Sequence, residues 1–206
     1  MSSKRRLSSK QLILHIGILL AVGVLNQIAG AYLLEVAMRI VNHDSDLIGN
    51  YESAYDALTS MAPRMIIYVC ILAPTIEETV FRLGLIGLGR KMLPFWAVNI
   101  IQAILFGVYH GNLIQGIYAF IFGIMFGIVF GYMGGYVSCL IVHMTINTFG
   151  LYGVPFLPSE FSKMIMVIIG IICAVAVGTL IWLDVRYIQP TENRSMQNPQ
   201  SDHLNN

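Results

Sequence analysis

Two stretches of this chain, residues 113–133 and 164–183, contain no charged residue. About 20 consecutive apolar residues are enough for a helix to cross the ~30 Å hydrocarbon core of a bilayer. Inside a bilayer the backbone must satisfy its own N–H and C=O groups, so a spanning segment is either a helix or a strand of a closed barrel. Barrel strands alternate lipid-facing and lumen-facing residues, and these runs do not alternate. Composition agrees. Of the 206 residues, 56% are hydrophobic and 11% charged, where a soluble domain carries about 25% charged residues. The mean hydropathy is +0.71. A soluble enzyme, a nucleic-acid binder and a disordered chain are excluded. The expected fold is all-α, a polytopic transmembrane helical bundle of about six spans.

The spans are expected at 12–41, 63–89, 94–109, 113–133, 136–151 and 164–183, with Gly134 and Gly135 forming a tight turn. The start resembles a secretory signal, but apolar character continues past Ala31, which predicts an uncleaved first span. The domain plan is a basic arm at 1–11, a transmembrane domain at 12–185 and a polar, disordered tail at 186–206. Residues 42–60 form a polar loop with Asp44, Asp46, Glu52 and Asp56. An even number of spans puts both termini on one side. Lys4, Arg5, Arg6, Lys10, Arg90, Lys91, Arg186 and Arg194 all fall on that side, so the expectation is a multi-pass cell-membrane protein with both termini cytoplasmic. Glu35 and Arg39, four apart, predict a local ion pair. Cys70, Cys139 and Cys173 have no disulfide or zinc spacing and are expected as packing residues. Gly123, Gly127 and Gly131 bare one face of the fourth helix, which predicts close packing within the chain in preference to dimerisation.

Ionisable groups inside apolar spans are costly, so each is a candidate for function. In the run from Glu77 to Arg82, positions 78 and 82 lie one helical turn apart, in the favourable order for an ion pair. Glu77 points about 100° away and is left without that cation, free for acid–base chemistry. Pro74 removes one helical hydrogen bond just upstream. His110 follows Phe106 by four residues at the end of the third span. His143 lies mid-span with Asn147 one turn later. Two polar donors stacked in a spanning helix need internal partners. They can brace each other and a neighbouring hydroxyl, or form a donor pair aimed at a developing oxyanion. His110 falls near the outer end of its span, so the third helix must be short, tilted or shifted inward for these groups to meet.

The order Glu-Glu-x-x-x-Arg (Glu77, Glu78, Arg82), Phe-x-x-x-His (Phe106, His110) and His-x-x-x-Asn (His143, Asn147) resembles the CPBP family of CAAX and bacteriocin-processing intramembrane proteases, also called Abi. The resemblance covers about residues 61–151, the expected protease core. It implies that Glu77 and His110 activate water, that His143 and Asn147 bind the oxyanion, and that Glu78 and Arg82 hold the site in shape. It further implies membrane lipid and a peptide or lipidated protein substrate as partners, no nucleic acid, and room for a membrane-protein partner. A non-catalytic role, as a bacteriocin self-immunity factor or a scaffold, is the alternative. A proton-coupled transporter would need paired or inverted repeats, and none is visible.

The cofactor stays open between none and zinc. Glu77, His110 and His143 offer a His₂Glu set with room for water. There is no His-Glu-x-x-His, and the three ligands would come from three helices. An amide beside His143 suits an oxyanion hole better than a zinc shell, which favours the metal-free version.

Overall fold

The computed structural model describes residues 7–40 and 66–189, with positions 49 and 53 between them. The basic arm at 1–6, the acidic loop at 42–60 apart from those two positions, the start of the second span before residue 66, and the tail from residue 190 lie outside the described residues. Within them the protein is all-α, with six helices and no strand. Helix α1 is Ser9–Ile40. Helix α2 runs over 66–89, and its winding alternates: π at Tyr68–Leu72, α at Ala73–Glu78, π again at Thr79–Ile86 and α at Gly87–Gly89. Then come α3 (Phe95–Tyr109), α4 (Leu113–Tyr132), α5 (Tyr136–Tyr152) and α6 (Lys163–Leu183), the last extended by a wide turn at Asp184–Ile188. Among the described residues three segments are long and apolar enough to cross a membrane: Ser9–Ile40, Leu113–Tyr132 and Lys163–Ile188.

Helix α4 is central. Its Phe122, Phe126 and Val129 meet Leu19 and Val22 of α1, Phe81 of α2, Phe106 of α3, and Val142 and Ile146 of α5 in one buried cluster. Large apolar side chains such as Ile13, Ile171, Ile172 and Val175 stay exposed on the outside, as suits helices whose outer face meets lipid. The glycine ladder of α4 is filled from within the chain. Gly123 faces Ala103 and Phe106, Gly127 faces the Asn99 amide, and Gly131 faces the Phe95 ring. Asn99 Nδ2 and Gln102 Nε2, both on α3, donate to the Ile124 and Gly123 carbonyls of α4 at 3.2 and 2.8 Å. The tight turn before α5 is also present, with Gly134 at φ +104° and Gly135 at φ +82°, a region that strongly favours glycine.

Polar ties lock α1 at both ends. Near its C-terminus Arg39 Nε donates to Glu35 Oε1 at 2.7 Å, so the local pair forms as expected. The same guanidinium donates to the carbonyls of Phe161 and Ser159 between α5 and α6. Near its N-terminus the buried His15 donates from Nδ1 to Asp184 Oδ1 at 2.7 Å. Its Nε2 lies 3.0 Å from Ser138 Oγ, and Gln189 Nε2 donates to the other Asp184 oxygen at 2.8 Å. This cluster joins α1, α5 and the end of α6.

A methyl group added at Gly127 overlaps Asn99 and forces α3 away from α4, at a cost of about 1–3 kcal/mol. At Gly178 nothing lies within 4 Å of an added Cβ. Thermal unfolding in detergent is expected to give a lower midpoint for Gly127→Ala and an undiminished one for Gly178→Ala.

Candidate active site

Glu78 lies at the centre of the polar residues. Its side chain and that of Arg82 are both 0% exposed, and Oε2 forms an ion pair with Arg82 Nε at 3.0 Å, one turn along α2. Its Oε1 accepts from His143 Nδ1 at 2.7 Å. The thiol of Cys139 donates to Oε2 at 2.8 Å and also reaches the Phe126 carbonyl. The Arg82 guanidinium lies over Phe106 at 4.7 Å and Phe126 at 5.0 Å. A buried ion pair survives only when further hydrogen bonds and close packing offset its lost hydration. Here the thiol, the imidazole and two aromatic faces supply them.

Glu77, His110, His143 and Asn147 have different surroundings. All four border one cavity of about 530 Å³, together with Phe106 and Phe126. Glu78 and Arg82 do not border it, so the two neighbouring glutamates part company as the helix-face separation requires. Among the described residues the nearest ionisable partner of Glu77 is His143, whose Nε2 is 3.6 Å from Oε2. His143 stacks on Phe126 with ring centroids 4.5 Å apart. A carboxylate accepts only, so the 2.7 Å contact fixes the proton of His143 on Nδ1 and turns Nε2 toward Glu77.

His110 is the residue that ends α3. Its Nδ1 donates to the Phe106 carbonyl, one turn back, at 2.7 Å. In the neutral ring that leaves Nε2 as a bare acceptor. The depth problem is solved by helix length: α3 has 15 residues, about 22 Å, and does not carry His110 far across the bundle. Asn147 does not brace His143. Its Nδ2 donates to the Val69 carbonyl of α2 at 2.9 Å, which commits one of its two amide hydrogens.

Several contributors went unseen in the sequence. Cys139, expected as simple packing, is a hydrogen-bond donor to Glu78. Phe126 supports both Arg82 and His143. Helix α1 supplies part of the cavity wall through Gln27, Gly30 and Glu35. A polar residue inside an apolar run, such as Gln27, was the available signal. Among the described residues no three His, Cys, Asp or Glu side chains are gathered so as to hold a metal ion.

Removing the cation alone leaves a buried carboxylate uncompensated, so Arg82→Leu is expected to cost about 3–5 kcal/mol. The double change Arg82→Leu with Glu78→Gln removes both charges and is expected to recover much of that loss. Unfolding midpoints of the two variants in detergent check this; equal midpoints would contradict it.

Residues 59–149 match the family model described as type II CAAX prenyl endopeptidase Rce1-like. No match is found among curated proteins or among solved structures. The matched segment holds all six polar residues of the site and leaves out α1 and α6. Through that segment the chain is similar to the CPBP family of CAAX proteases, in line with the motif order.

Proposed function

We propose that this protein is an intramembrane endopeptidase that hydrolyses a peptide or lipidated protein beside the membrane, with Glu77 and His110 activating the attacking water. The observation that carries this reading is the common cavity bordered by Glu77, His110, His143 and Asn147, while Glu78 stays outside it, tied to Arg82. A water between Glu77 and the bare Nε2 of His110 meets two proton acceptors. As the water oxygen bonds to the scissile carbonyl carbon, its proton passes to one of them. The carbonyl oxygen becomes an oxyanion. His143, in the form with protons on both ring nitrogens, and the uncommitted amide hydrogen of Asn147 donate to it. Collapse of the tetrahedral intermediate breaks the C–N bond, and the held proton leaves on the amine.

Glu78, Arg82 and Cys139 act through His143: they hold its Nδ1–H and its ring plane. Helix α1 covers the cavity, and the apolar lining around the polar groups suits a substrate with an apolar or lipid-modified segment. In the proposed orientation both termini face the cytoplasm, supported by Arg90 and Lys91 between α2 and α3 and by Arg186 after α6. The catalytic core is the segment 61–151 within the transmembrane domain.

The proposed mechanism needs no metal; the Asn147 amide bordering the cavity one turn from His143, as suits an oxyanion hole, supports it. With a prenylated CAAX peptide as probe, Glu77→Ala is expected to lose about 10²–10⁴ in rate at unchanged protein level and unfolding midpoint. Undiminished cleavage by that variant removes Glu77 from the chemistry. Activity is expected to persist after strong chelation. Complete loss on chelation, restored by zinc alone, overturns the metal-free mechanism.

A further inference from the structure

We propose that Pro74 is a positioning residue for hydrolysis: by lacking an N–H it leaves the Val69 carbonyl open, and that carbonyl holds the Asn147 amide at the cavity. The inference rests on the endopeptidase reading above and adds to it how the oxyanion donor is held.

The backbone bookkeeping of α2 leads to it. In the π turn Tyr68–Leu72 the register is five residues, and the Ala73 N–H accordingly bonds the Tyr68 carbonyl. The next bond in the same register would run from the N–H of residue 74 to the Val69 carbonyl. Residue 74 is proline and has no N–H. In ordinary α register the partner of Val69 would be Ala73, whose N–H is already on Tyr68. The Val69 carbonyl has therefore lost one helical partner to the register and the other to proline. An unsatisfied carbonyl in a membrane interior is costly, and Asn147 Nδ2, reaching across from α5, satisfies it at 2.9 Å.

This bond joins two elements of the site. Val69, Ala73 and Glu77 all border the cavity at four-residue steps on α2. Asn147 and His143 border it one turn apart on α5. The contact from Asn147 to Val69 thus fixes the donor pair relative to the carboxylate that activates water. It also stops the amide from rotating, so its second hydrogen keeps one direction. A free asparagine would have to be ordered in each turnover, and small misplacements of a catalytic group lower rates steeply. Proline is the residue that creates this acceptor, because any other at position 74 would bring an N–H to compete for it.

The test is Pro74→Ala, which restores that N–H. With the full-length protein in detergent and a prenylated CAAX peptide as probe, kcat is expected to fall about 10–100-fold, with KM within about twofold and an unfolding midpoint equal to or above the parent. Asn147→Ala is expected to lose a similar factor, and the double variant no more than either alone. Additive losses, or an unchanged kcat in Pro74→Ala, overturn the inference. A second readout needs no cleavage: in ¹⁵N-asparagine-labelled protein the Asn147 side-chain amide signal, identified by its loss in Asn147→Ala, is expected to move toward a free amide in Pro74→Ala. An unmoved signal overturns the inference. Absence of cleavage by the parent protein in the same assay would refute the endopeptidase reading, while the amide signal still reports on Pro74 and Val69 independently.

Discussion

A carboxylate with no access to water lies at the junction of four helices, and the surrounding structure supplies it with a cation and hydrogen bonds. Glu78 takes its cation from its own helix and its hydrogen bonds from α5, through His143 and Cys139. The faces that cover the cation come from α3 and α4, through Phe106 and Phe126. Each helix thus contributes something that another cannot, and the relative placement of all four is fixed by one set of short polar contacts. In a membrane, where apolar burial between helices gives little net attraction, such contacts and close backbone packing decide which arrangement wins.

Two adjacent glutamates are therefore used in opposite ways. Glu78 is spent on architecture: both oxygens are occupied and its side chain is sealed from the cavity. Glu77 borders the cavity, with His143 Nε2 3.6 Å from it, beyond hydrogen-bond distance. Because His143 lies against both, the sealed carboxylate is linked to the one at the cavity through a single ring.

The sequence displayed this division only in part. The separation of Glu77 from the Glu78–Arg82 pair follows from helical periodicity, and it was legible because charge is so rare in these spans. The glycine ladder of α4 announced a close neighbour, and α3 is that neighbour. The Glu35–Arg39 pair was readable from spacing alone. What could not be read depends on long-range placement. Cys139 looks like any small apolar residue until the fold brings it to Glu78, 61 residues away. The π register of α2 leaves no compositional trace, and so the tie from Asn147 to Val69 was invisible, although Pro74 marked the place. His15 sat in plain view as a histidine within an apolar run, but its partner Asp184 lies at the far end of the chain.

That distance has a consequence for how the protein is made. His15 and Asp184 are 169 residues apart, and synthesis proceeds at about 5–20 residues per second, so on the order of 10–30 s separates their emergence. For that interval α1 is in place with its imidazole unpaired by Asp184 and with one end of the cavity wall unfastened. The helix that covers the cavity is made before the helix that secures it. The cavity that holds Glu77, His110, His143 and Asn147 is thereby closed only after residue 184 has arrived.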